Sequence, residues 1–115
     1  MTLQELFEEY AALKQYRPGE IIFKAGEAGI EMYLIQSGEV EIHNGKNLIR
    51  TLKPGDLFGE MALIGNEPRS ATAIAKTHCN LIPVDENRFL FLVRQNPYFS
   101  LYVMEILATR LRSHV

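Results

Sequence analysis

Apolar residues change their spacing along the chain, and the changes mark three regions. Leu3, Leu6, Phe7, Tyr10 and Leu13 recur at the i, i+3, i+4 interval that gathers one face of a helix, and Thr2 with Glu5 forms a capping box ahead of them. A helix over 2–16 is therefore expected, ending before Pro18. From 18 to 84 the texture turns to short β-prone runs, cut at near-regular intervals by Arg17-Pro18-Gly19, Lys24-Ala25-Gly26, Ser37-Gly38, Asn44-Gly45 and Pro54-Gly55. Within it Met32–Gln36 and Val40–His43 read as strands. Asn44-Gly45 reads as a two-residue hairpin turn, because both residue types tolerate positive φ. Many short antiparallel strands imply a sandwich or small barrel.

The third region, 85–113, is helical again and splits in two. Asp85 is placed to N-cap a helix running to about Gln95, and Asn96-Pro97 is a second start, with proline at a position whose missing N–H costs nothing. In the last helix Phe99, Tyr102, Val103, Ile106 and Leu107 form one apolar stripe, and Leu101, Met104, Ala108 and Leu111 another. The first stripe can pack on the strands. The second calls for cover, from a second copy of the chain, from a ligand it closes over, or from a neighbouring helix such as the one over 85–95, and a homodimer through this helix is the expectation carried forward.

With 115 residues, 47% of them hydrophobic, the chain has the size and core material of one domain over 1–115. Its net charge of -2 and scattered cations offer no broad positive field, so direct DNA binding is not expected. Cys79 is the one cysteine, which rules out an internal disulfide and fits a reducing compartment. The acidic start (Glu5, Glu8, Glu9) is unlike a signal peptide, and no apolar run is long enough to span a bilayer, so a cytoplasmic domain with no membrane partner is expected. His43, His78 and His114 lie in no ligand spacing, which argues against a metal.

The chemistry concentrates between Pro54 and Ala73. Gly59-Glu60-Met61-Ala62-Leu63 can form one helical turn that begins at a glycine, leaving its first amides free to face an anion. Arg69 follows Pro68 and leads into the β-prone run Thr72–Ala75, which would fix its fork of donors near the same turn. Two plainer readings stand beside this cradle: Arg69 as a surface arginine paired with Glu67, and Glu60 as a carboxylate that offsets the helix dipole.

The stretch Gly59–Thr72 resembles the phosphate-binding cassette of the cyclic nucleotide-binding domain family, in its glycine, glutamate, apolar triplet and Pro-Arg-small-Ala-Thr order. The run Gly26–Val40 resembles that family's first glycine-bounded strands. The resemblance implies an antiparallel, jelly-roll-like β-roll, mainly β, with an N-terminal helix, a short helix inside a cassette over 58–72, and two C-terminal helices. It implies that Glu60 accepts from the ribose 2′-hydroxyl and that Arg69 pairs with the exocyclic oxygens of the cyclic phosphate. Gly59 would admit the sugar, and the amides of Met61, Ala62 and Ala71 with the Ser70 hydroxyl would complete the phosphate's hydrogen bonds. Ile42, Ile49 and Leu52 would line the pocket around the base, and Arg110 is the candidate lid. Ser70 fits either purine, and cAMP is expected over cGMP.

A stand-alone, non-enzymatic regulatory domain follows, one that passes occupancy through its C-terminal helices to a dimer mate or an effector protein acting in trans. The alternative is a β-roll scaffold that binds no nucleotide. A metal-dependent enzyme on a similar roll would need a histidine and carboxylate cluster that the sequence lacks.

Overall fold

The computed structural model describes residues 13–112. Eight strands form two antiparallel four-stranded sheets: β1 (Lys14–Tyr16), β8 (Cys79–Asp85), β3 (Glu31–Ser37) and β6 (Leu57–Phe58) in that order, and β2 (Ile21–Phe23), β7 (Thr72–Ala75), β4 (Val40–Asn44) and β5 (Asn47–Leu52) in the other. Helix α1 (Glu60–Ile64) interrupts the strands. Helices α2 (Glu86–Gln95) and α3 (Tyr98–Arg112) close the chain.

Successive side chains of a strand point to opposite faces, and β3 uses both. Met32 and Leu34 pair with Val84 and Ile82 and join Leu57, Leu92, Phe99 and Val103 in one buried cluster under the helices. Tyr33 and Ile35 face the other way and meet Phe58, Val40, Ala73 and Leu81 in a second cluster between the sheets. The β1–β8–β3–β6 sheet is thus the middle layer. It carries the helices on one face and the second sheet on the other.

The helix starts fall where the capping residues put them. Asp85 accepts from the Arg88 amide at 2.8 Å, and the Asn96 side chain accepts from the Tyr98 amide at 3.2 Å. Phe99, Tyr102, Val103, Ile106 and Leu107 face the core. Leu101, Met104 and Leu111 stay exposed, and α2 does not cover them.

Two expectations need correction. The N-terminal helix does not run through 14–16, for that segment is β1, registered as Lys14 on Leu81 and Tyr16 on Cys79; the rest of that helix, over 2–12, lies outside the described residues. The open edge of β8 offers Lys14–Tyr16 backbone partners, and Tyr16 packs against the inter-sheet cluster, so tertiary pairing overrides the helical spacing. The β4–β5 hairpin turns one residue later than expected: Asn44 pairs with Asn47, and Gly45, at φ 63°, starts the two-residue loop.

Candidate functional site

Gly59 sits at φ 79°, in the left-handed region where a glycine carries no steric cost, and it turns the chain from β6 directly into α1. Glu60 opens that helix and is only 7% exposed; Ala62 is buried and Met61 half-exposed. Arg69 is 6% exposed, although guanidinium groups are seldom buried without a counter-charge. It is not paired with Glu67. Its Nη1 donates to the Gly59 carbonyl at 3.0 Å and its Nη2 to the Glu31 carbonyl at 2.8 Å, while Cζ lies 4.1 Å from the centre of the Phe23 ring. Among the described residues no carboxylate is within ion-pair reach of it.

These groups surround a cavity of about 110 Å³ between the second sheet, α1 and the end of α3. Its wall brings together Ile42, Leu52, Gly59, Glu60, Met61, Ala62, Arg69, Ser70, Ala71 and Arg110. An open groove of about 760 Å³ adjoins it, sharing Arg50, Leu52 and Arg110 and adding Ile49, Tyr102 and Ile106. Ile49 therefore belongs to the groove and not to the cavity. The cause is a register shift: Ile42 pairs with Arg50 and His43 with Leu48, so Ile49 bulges out of the ladder.

Sequence reasoning missed Phe23, Arg50 and Phe58, which also line the cavity. Arg50 was findable. It lies opposite Ile42 across the hairpin, and cross-strand partners share a face. Its guanidinium makes no hydrogen bond or ion pair among the described residues.

The Glu60 carboxylate is not a bare helix-dipole partner. Arg110, near the end of α3, donates to it from Nη1 and to the Leu57 carbonyl from Nη2. Tyr102 in the same helix donates to the Gly55 carbonyl. Three hydrogen bonds thus tie α3 to β6 and the residues that flank it. Behind the site, the Glu31 carboxylate accepts from the Tyr33 hydroxyl at 2.8 Å and pairs with Lys14; burial, then that hydrogen bond, pushes the Tyr33 phenol well above its ordinary range. Among the described residues no three or more His, Cys, Asp or Glu converge as a metal site would need, and no helix is long and apolar enough to cross a membrane.

A family model described as cyclic nucleotide-binding domain matches residues 13–96. A cyclic AMP receptor protein of Thermus thermophilus is 34% identical over 113 residues, covering 94% of this chain and 52% of that protein. A cAMP-dependent protein kinase regulatory subunit of Schizosaccharomyces pombe is 44% identical over 75 residues, covering 64% of this chain and 18% of that protein. The crystal structure of the Thermus thermophilus catabolite activator protein superposes with a TM-score of 0.85 at 34% identity, over 96% of this chain and 54% of that one. The chain thus spans about half, or less, of the length of these relatives.

Proposed function

The chain belongs to the cyclic nucleotide-binding domain family, and from that premise we propose that its cavity takes a 3′,5′-cyclic purine nucleotide. The observation that carries this reading is Arg69, a residue only 6% exposed whose guanidinium no carboxylate of the described residues neutralises. A buried cation without a counter-charge costs several kcal/mol, roughly, and a phosphate held beside it removes that cost. Two of its five N–H donors go to carbonyls, which leaves three for phosphate oxygens. The same observation argues against a scaffold that binds nothing.

In this reading the amides of Met61, Ala62 and Ala71 and the Ser70 hydroxyl complete the phosphate's contacts. Gly59 admits the sugar. Glu60 accepts from the ribose 2′-hydroxyl, since Arg110 engages Oε1 and the other oxygen remains. The base extends along Ile42 and Leu52 toward the groove where Ile49 and Arg110 stand. cAMP is the expected nucleotide, and one observation favours a second reading, cGMP: Arg50 lines cavity and groove with no hydrogen bond or ion pair among the described residues, and a guanidinium fork fits the O6 and N7 acceptors of guanine.

Occupancy would reach α3 through Glu60, because a hydroxyl arriving at that carboxylate alters its bond to Arg110. The exposed face at Leu101, Met104 and Leu111 then offers the output surface, to a second copy of the chain or to an effector protein. A regulatory, non-catalytic, cytoplasmic domain without DNA contacts of its own fits this reading, with the net charge of -2 and a single cysteine in support. Calorimetric titration with cAMP, cGMP and linear 5′-AMP tests it. Saturable binding of a cyclic form, with 5′-AMP much weaker, is expected, and no binding of either cyclic form would overturn it.

A further inference from the structure

A guanidinium buried away from water keeps its direction only if something holds its faces as well as its edges. At Arg69 the edges go to the Gly59 and Glu31 carbonyls, and the backbone is clamped, with N–H to the Glu27 carbonyl at 2.8 Å and carbonyl to the Gly26 amide at 2.7 Å. The plane is held differently. Phe23 lies 4.1 Å from Cζ, and Phe23 in turn packs on Phe58 at 5.9 Å and on Tyr33 at 6.2 Å between centroids. Gly29 approaches so closely that a Cβ there would lie 2.3 Å from Nε and 2.4 Å from Cζ. No side chain could stand at 29 with Arg69 where it is.

We propose that Phe23 and Gly29 form a slot for the Arg69 guanidinium, with Phe23 a positioning residue that sets ligand affinity through Arg69 and not through the ligand. The proposal rests on the reading of the cavity as an anion site. Its physics is that an aromatic face attracts a desolvated cation without using any of its N–H donors, so the remaining donors stay aimed into the cavity. The Phe58 and Tyr33 rings fix the shelf, so the arginine is oriented before the anion arrives and little ordering is left to lose on binding.

Two measurements test the slot. In the unliganded chain the Arg69 Nε–H resonance is expected to be displaced by the ring current of Phe23, and in Phe23→Leu to return to the ordinary arginine position. In titrations with cAMP and cGMP, Phe23→Leu is expected to weaken binding about tenfold and Phe23→Tyr to stay near wild type. In an Arg69→Gln background Phe23→Leu is expected to change affinity less than twofold further. Equal losses in both backgrounds would mean that the ring touches the ligand or merely supports the fold, and would overturn the proposal. An undisplaced Nε signal in the wild type does the same, and that reading needs no variant to fold. If the wild type binds neither nucleotide, the anion reading fails, while the Nε signal still decides the slot.

Discussion

Arg110 and Glu60 form an ion pair that joins the end of α3 to the first residue of α1 across 50 positions of sequence, with side chains only 19% and 10% exposed. Removing Arg110 from so enclosed a pair strands the Glu60 carboxylate. Arg110→Met is expected to lower the unfolding free energy by about 1–3 kcal/mol in urea titration, less than for a fully buried pair because both groups retain some water. Glu60→Gln added to it should restore part of the loss by removing the stranded charge. An unchanged urea midpoint in Arg110→Met would mean that the pair holds nothing.

Gly29→Ala is a sharper probe of Arg69 than its small size suggests. Gly29 lies outside the left-handed region, so alanine suits its backbone, but its Cβ would occupy space held by the guanidinium. The fold should survive with Arg69 displaced. A loss of cyclic nucleotide affinity of about tenfold or more, about 1.4 kcal/mol per tenfold, is expected by calorimetry, and wild-type affinity in a folded Gly29→Ala would contradict the geometry.

Arg50 decides between the purines. If its fork, which has no partner among the described residues, reads guanine, Arg50→Ala should weaken cGMP by about 1–3 kcal/mol and leave cAMP nearly unchanged, so the ratio of the two constants moves. Equal changes for both nucleotides would restrict Arg50 to a general charge effect and leave the cAMP preference standing.

The tyrosines give a pH prediction with a definite sign. Tyr16, Tyr33 and Tyr102 all have phenols raised above 10, chiefly by burial. A group raised in the folded state adds stability that is complete below its unfolded pKa and is lost as pH climbs through the folded one. Stability from these three should therefore hold up to about pH 10 and fall above it, with a slope approaching about 1.4 kcal/mol per pH unit from Tyr33 alone. Tyr33→Phe should make the alkaline loss shallower in urea titrations at stepped pH.

What could be read in the sequence was whatever depends on local chemistry. Asp85 and Asn96 mark helix starts because their side chains satisfy amides a few residues on, and Gly59 marks the entry to α1 because only a residue free at positive φ turns there. The conjunction of Glu60 with Arg69 was legible for the same reason. What depended on pairing at a distance was not. Lys14–Tyr16 forms a strand because β8 has an open edge 65 residues on, Ile49 leaves the cavity because of a bulge, and Phe23 reaches Arg69 only after the sheets close.

The central claim is that the buried guanidinium of Arg69 meets the phosphate of a cyclic nucleotide, and titrating wild type and Arg69→Ala side by side with cAMP and cGMP tests it most directly. A loss of about 2–5 kcal/mol in binding, with circular dichroism unchanged, is the expected result. Equal affinities for the two proteins would contradict it.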